Sequence, residues 1–377
     1  MMYELIATTT FGLEAVCRRE IEQLGYKVKS TENGKITYLG DERAIVNSNL
    51  WLRTADRVLI KVAEFKALTF DQLFDQSKAI PWKKYISKKG KFVVNGKSVK
   101  SKLFHVTTCQ KMVKKAIVDN LKVAYNVDWL DESEEVYPIS VALLNDVATI
   151  TLDTSGAGLH KRGYRIRTIE APMKETLAAG LVLLSYWNKD RVLYDVFCGS
   201  GTIPIEAAMI GRNIAPGLSR DYSSKHWPWI SKDVWKEETR LAYQAIDHDV
   251  ELKIYGSDVD AKSIEAAIEN AEEAGVDDCI EFKQADFKEI EYENNYSIVI
   301  SNPPYGERLD TIHIVKGMYI AIGNIFRRLD TWSSYFITSF EEFERVYGKK
   351  ADRNRVLYNG KIKARYYQYY GPRPPIK

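Results

Sequence analysis

Apolar residues recur along the chain in two spacings, and the alternation between them predicts its elements. Residues 3 to 10 (YELIATTT) read as a strand; beyond Gly12, Leu13, Val16, Ile21 and Leu24 fall on one helical face until Gly25 ends it. A strand at 35 to 40 and a helix at 44 to 53 complete a small β-α-β-α unit. From 57–65 (RVLIKVAEF) to 148–153 (ATITLD) the pattern is again strand, helix, strand, helix, strand. From about 171, strands at 192–197, 251–258, 280–286, 296–302 and 333–338 alternate with helices, the signature of an α/β domain with a mostly parallel sheet. Residues 361–370 can add antiparallel strand at its edge. The expected organisation is a small domain at 1–56, a second at 57–155, a linker at 156–170 and the α/β domain at 171–377.

Charge changes the picture only through its distribution. Lys plus Arg number 54 against 51 acidic residues, a net charge of +3 that argues neither for nor against nucleic acid. Between Lys78 and Lys122, however, stand thirteen Lys and a single acidic residue, Asp119. Lys88, Lys89 and Lys91 flank a turn at Gly90, and Lys111, Lys114 and Lys115 share a helix face. Such a face repels itself unless an anion lies against it. With Phe92, Phe104 and His105 interleaved, it reads as a phosphate-binding surface. The segment SGAGLHKRGYRIR (155 to 167) brings Lys161, Arg162 and Arg165, with His160 and Arg167, to the start of the α/β domain, as a tether or a further RNA contact. No apolar run approaches a membrane span of roughly 18 residues and the N-terminus has no signal-peptide pattern, so a cytoplasmic protein is expected. Cys17, Cys109, Cys198 and Cys279 lie far apart, with no CxxC pair and no His at ligand spacing; neither disulfides nor a metal are expected.

The chemistry lies at four predicted strand ends. Asp195 to Gly201 (DVFCGSG) follows one strand and opens a helix, with small residues at 199 to 201 that admit a ligand to the backbone and a helix N-terminus that favours an anion. Pro204 stands where a nicotinamide-binding G-x-G-x-x-G would need Gly. The second strand ends in GSDVD, where Asp258 suits two ribose hydroxyls. The third ends in AlaAspPhe, where Asp286 offers an acceptor for an adenine amino group and Phe287 a ring for its face. The fourth ends in SerAsnProProTyr, 301 to 305. The amino group of a base is a poor nucleophile because its lone pair is delocalised into the ring. Asn302 and the carbonyl of Pro303 can each accept one N–H and turn that lone pair outward; Pro303 and Pro304 stiffen the geometry, and Tyr305 can stack on an extruded base.

Together with AlaProMetLysGluThrLeu at 171 to 177, these motifs resemble the S-adenosylmethionine (AdoMet) dependent amino-methyltransferases. With Thr10 to Glu14, IleProTrp at 80 to 82 and the stretch 155 to 165, almost the whole chain is similar to the THUMP-domain guanine-N2 methyltransferases of bacterial large-subunit ribosomal RNA, the RlmL type. The resemblance implies a ferredoxin-like domain, an RNA-gripping THUMP domain and a Rossmann-like methyltransferase domain. It also implies AdoMet held by Thr176, Asp195, Phe197, Gly199, Ser200, Gly201, Asp258, Val259, Asp286, Phe287 and Asn302, and a target base held by Asn302 to Tyr305. Some relatives carry a second methyltransferase domain; since this chain stops at Lys377, a single activity is expected.

Three readings stay open at this level: an adenine-N6 enzyme, since the same motif serves both amino groups; a transfer RNA substrate; and a noncatalytic RNA-binding protein, which four intact motifs oppose. Cytosine-C5 chemistry would need a Cys nucleophile near the fourth strand, where Cys198 and Cys279 do not lie.

Overall fold

The structure is a computed structural model that describes residues 1–167, 172–306 and 312–375; the end of the expected linker, Ala171 and the last two residues lie outside the described residues. The chain divides into two compact units, 1–8 with 18–159 and 221–241, and 9–17 with 160–220 and 242–377.

The first unit is built on one seven-stranded sheet. Its elements are β1 (Tyr3–Thr9, all but its last residue), the end of α1 (Glu14–Gln23), β2 (Lys27–Glu32), β3 (Lys35–Gly40), α2 (Glu42–Trp51), β4 (Ala55–Lys66), α3 (Phe70–Lys78), β5 (Lys91–Val99), α4 (Val106–Tyr125), β6 (Val136–Leu144) and β7 (Val147–Asp153). The strand order is β2-β3-β1-β4-β7-β6-β5. Two of these strands escape the sequence pattern. The polar β2 (KVKSTE) is an edge strand, so it needs no apolar face. β6 and β7 form a tight antiparallel hairpin whose Asn145 and Asp146 both have positive φ, 50° and 65°, the conformation of a two-residue turn that leaves little polar sequence to separate the strands. In α4, Cys109, Val113, Ala116, Ile117 and Leu121 are buried at helical spacing and Asn126 closes the helix in the left-handed region. Lys111 and Lys115 are therefore turned outward.

Residues 221–241 belong to this first unit, although the sequence placed all of 171–377 in the α/β domain. Their aromatic rings account for it. Trp227 stacks on Tyr137 at 5.2 Å and donates its indole N–H to the Val136 carbonyl, and Trp229 donates to the Tyr85 carbonyl at 2.8 Å.

The second unit contains α5 (Glu175–Leu184), β8 (Leu193–Asp195), α6 (Thr202–Gly211), the end of α7 (Lys232–Gln244), β9 (Ile254–Asp258), α8 (Ala261–Ala274), β10 (Ile280–Gln284), β11 (Ile298–Ser301), α9 (Ile312–Phe326), β12 (Ser333–Thr338), α10 (Phe343–Tyr347), β13 (Arg353–Asn359) and β14 (Ile362–Tyr369). The strand order is β10-β9-β8-β11-β12-β14-β13, parallel from β10 to β12 with an antiparallel pair at one edge, a Rossmann-like sheet. Strand period decides which layer each side chain enters. Leu193, Ile298, Ile300, Tyr335 and Ile337 join the core with α5, α6 and α8, whereas Tyr194, Val299 and Phe336 join the core with α9 and α10. The order reverses between β8 and β11, so the crevice where such sheets bind ligands opens at the carboxyl ends of those two strands. Among the described residues no helix is long and apolar enough to cross a membrane.

Candidate active site

Asp195 ends β8 and Ser301 ends β11, and the two strands are tied at that point. Asp195 Oδ1 accepts the Ser301 hydroxyl at 2.7 Å and the Phe197 N–H at 3.3 Å, while Ser301 Oγ accepts the Val196 N–H at 2.9 Å. Asp195 Oδ2 is buried with no hydrogen-bond partner among the described residues. Burial raises its carboxyl from the ordinary value to about 7, against the partial offset of the Ser301 and Phe197 donors and with a small further rise from Asp258. The adjacent Asn302 side-chain oxygen is likewise buried and unpartnered among the described residues. Two buried acceptors left open at one crevice cost free energy in the protein alone, and each is the complement of a ligand donor.

The loop after β8 turns on Gly199 and Gly201, with φ of 52° and 79°. A Cβ at Gly201 would stand 3.0 Å from both Ala267 Cβ and Phe282 Cζ, so this glycine is required by its backbone and by packing on α8 and β10, beyond any need to admit a ligand. Asp258 at the end of β9 braces the loop, its Oδ2 accepting the Gly199 N–H at 3.0 Å and its Oδ1 the Asp260 N–H at 3.1 Å. Asn270 on α8, 1% exposed, makes four bonds at once: its oxygen accepts the N–H groups of Ile166 and Arg167, and its amide donates to the carbonyls of Arg167 and Ser200. Sequence reading missed this residue, because a lone Asn within an amphipathic helix carries no signal of what its side chain spans. Thr176, in the first turn of α5, is fully buried.

At the neighbouring strand ends Asp286 is half-buried and pairs with Lys288 at 3.4 Å. Phe287 is 4% exposed and packs on Phe197 at 5.1 Å, so most of its ring belongs to the core instead of offering the open face expected from the sequence. The apolar surface left open here is Val259, 63% exposed directly after Asp258. An uncovered Val between two carboxylate-bearing strand ends suits an adenosine moiety. Gly199, Ser200, Gly201, Asp195, Asp258 and Val259 thus supply a backbone loop, acceptors and an apolar contact that could hold a nucleoside-bearing cofactor.

The chain belongs to the RMKL-like methyltransferase family. That family's methyltransferase-domain model matches residues 162–368, with an RlmL ferredoxin-like domain at 4–59 and a THUMP domain at 67–153. YpsC of Bacillus subtilis (strain 168), provisionally named an RNA methyltransferase, is 51% identical over 370 residues, covering 98% of this chain and 96% of YpsC. The ribosomal RNA large subunit methyltransferase K/L of Syntrophotalea carbinolica is 32% identical over 96% of this chain, which spans 53% of that longer protein. The solved structure of SMU.472, in complex with S-adenosylhomocysteine (SAH), is 41% identical with a TM-score of 0.95, over 99% of both chains. AdoMet is the cofactor of this RMKL-like enzyme.

Other residues chosen from the sequence sit differently. Arg162 is 3% exposed and paired with Glu206, which also accepts the Tyr164 hydroxyl at 3.1 Å; it is a core cation and presents no charge to RNA. Arg165 pairs with Glu175 at 2.9 Å and donates to the Met173 carbonyl and Thr202 hydroxyl. The basic segment expected to be a tether or RNA contact is, from His160 to Arg167, a packed strap of the catalytic unit, with Lys161 exposed on it. In the first unit Phe92 is fully buried, while Phe104 is 78% exposed. Lys88, Lys91 and Lys111 are exposed, Lys89 pairs loosely with Glu134 at 3.7 Å, Lys114 pairs with Glu132 at 3.4 Å and lies over the Phe92 ring, and Lys115 lies over Phe74. The four cysteines are buried and none is in a disulfide, and burial pushes the Cys279 thiol up to about 11 and Cys198 well above its usual range, which suits neither as a nucleophile. Among the described residues no cluster of acidic, His and Cys side chains could hold a metal ion.

Proposed function

We propose that this AdoMet-dependent enzyme methylates RNA, at the exocyclic N2 amino group of a guanosine in large-subunit ribosomal RNA. The observation that carries the chemistry is the buried, unpartnered oxygen of Asn302 at the strand-order reversal, beside the open acceptor of Asp195. A bound AdoMet supplies an electrophilic sulfonium methyl. Asn302 Oδ1 and the Pro303 carbonyl accept the two N–H groups of the target amine, which localises its lone pair, and they stabilise the positive charge that grows on nitrogen as it is alkylated. Asp258 accepts the ribose hydroxyls, Asp195 faces the methionine ammonium, Asp286 accepts the adenine amino group, and Tyr305 covers the extruded base.

RNA as substrate is supported by the THUMP domain, by the lysine-rich surface on α4 and the Gly90 turn, and by the names of the two relatives. Large-subunit ribosomal RNA is supported by the K/L relative. Nucleoside mass spectrometry of ribosomal and transfer RNA from a strain lacking the gene tests this directly. Loss of N2-methylguanosine from large-subunit RNA is expected; its loss from transfer RNA would move the substrate, loss of N6-methyladenosine would change the base, and an unchanged profile would overturn the reading.

Binding through phosphates has its own signature. RNA affinity of the full chain should fall steeply with salt, and Lys111→Gln with Lys115→Gln should reduce the log–log slope by about 0.7 to 0.9 for each phosphate that the variant no longer neutralises. An unchanged slope in the double variant would move the RNA surface elsewhere.

A further inference from the structure

A Pro-Pro step offers two carbonyls and no N–H, so it cannot pin itself through the reciprocal bonds that hold an ordinary turn. The Pro304 carbonyl is instead taken from outside, by the hydroxyl of Tyr319 at 2.7 Å. The same hydroxyl lies 2.7 Å from Thr338 Oγ1, which accepts the Phe340 N–H at 3.1 Å. A phenol has one proton to give. With that proton on Pro304, Thr338 donates to Tyr319 and Phe340 donates to Thr338, so the donors run one way from the end of β12 to the loop after β11. Tyr319 and Thr338 are both fully buried, and the Tyr319 ring is held by Phe340 and Phe343 at 5.3 and 5.0 Å. Tyr319 stands on the same stripe of α9 as Val315, Ile322 and Phe326, which fixes where its hydroxyl can reach. Burial also raises the phenol's pKa, which keeps the donor protonated across the neutral range.

We propose that Tyr319, backed by Thr338, is a positioning residue of the methyl-transfer site, holding the Pro304 carbonyl so that the Pro303 carbonyl and the Asn302 side chain face the target amine. This rests on the reading of Asn302 and Pro303 as the amine's acceptors. Neither Tyr319 nor Thr338 lies in any of the four strand-end motifs, and neither is given a part in holding AdoMet.

Tyr319→Phe keeps the ring and removes the donor. The single-turnover methylation rate should fall on the order of tenfold to a hundredfold, the scale set by small misplacements of reacting groups. SAH affinity should stay within about twofold of wild type. Thr338→Val should slow the reaction as well, whereas Thr338→Ser, which keeps the hydroxyl, should restore it. A readout that needs no RNA is hydrogen exchange at the Tyr305 and Gly306 amides, which should quicken about tenfold in Tyr319→Phe while the loop at 199 to 201 is unchanged. A wild-type rate in Tyr319→Phe, a rate loss matched by an equal loss of SAH affinity, or unaltered exchange at Tyr305 and Gly306 would each overturn the proposal. A wild-type enzyme that methylates no RNA amine would sink the functional reading and with it the role at the amine, while the exchange result would still decide separately whether Tyr319 pins the loop.

Discussion

Asn302→Ala should lower the single-turnover rate by on the order of a hundredfold or more, about 3 kcal/mol of transition-state stabilisation, the usual scale for deleting one preorganised polar group. The interaction it removes strengthens as positive charge builds on the target nitrogen, so the loss belongs in the rate rather than in binding. SAH affinity should change little, because the loop at 199 to 201 and the carboxylates of Asp195, Asp258 and Asp286 remain. Stability separates a chemical role from a structural one. Asn302 Oδ1 has no partner among the described residues, so its removal takes away an unsatisfied buried acceptor and should leave the thermal transition of the catalytic unit unchanged or slightly higher. Asn302→Asp still accepts a hydrogen bond and should retain more activity than Asn302→Ala. An alanine variant as fast as wild type would remove the amino-methyltransferase mechanism.

Asp195→Asn should stabilise the free protein at pH 8 while weakening its grip on the cofactor. Burial raises this carboxyl to about 7, above the unfolded value near 3.8. A carboxyl raised in this direction contributes stability that is fully present below the unfolded pKa and is lost as pH rises through the folded one. Across a gap of roughly three pH units the ionised group costs at most about 4 kcal/mol above pH 7. The new amide must itself be satisfied at the Oδ2 position, a penalty of about 1 to 3 kcal/mol that leaves a smaller net gain. The expected result is a thermal transition raised by roughly 2 to 8 °C at pH 8, a difference that shrinks toward zero as pH falls to about 5. A bound ammonium repays the ionised carboxylate, so SAH affinity of the wild type should rise with pH through about 7, and that dependence should be absent in the variant. Calorimetric transitions whose difference is the same at pH 5 and pH 8 would show that burial of this charge is not what sets its behaviour.

Both predictions concern residues that a linear reading can find, and the reason is chemical. A glycine loop after an apolar strand, acidic residues at successive strand ends and an Asn-Pro-Pro-Tyr terminus are short, ordered signals, because parallel strands deliver their carboxyl ends to one edge in a sequence-ordered way. Strands buried on both faces announce themselves as apolar runs, which is why β8, β11 and β12 were legible. The antiparallel edge was legible only in part. β14 carries the aromatic run RYYQY, but its partner β13 is an edge strand of mixed polarity with no pattern of its own.

What the tertiary structure alone decided is which polar groups are left open and which are consumed. Arg162 and Arg165 look like Lys161 in the sequence, yet burial against Glu206 and Glu175 turns the first two into structural cations. Phe287 reads as a ligand-facing ring, but packing on Phe197 takes it into the core and leaves Val259 as the open apolar face. Residues 221–241 read as part of the α/β domain, but the indoles of Trp227 and Trp229 bind carbonyls of the first unit. Asn270, Tyr319 and Thr338 carry no motif, since the groups that Asn270 bridges and that the Tyr319 hydroxyl joins lie between 15 and 104 residues away from them. The local pattern of a chain determines its elements and the order of its strand ends; burial and long-range hydrogen bonds exist only once those elements are packed, and they decide what each side chain at the edge is free to do.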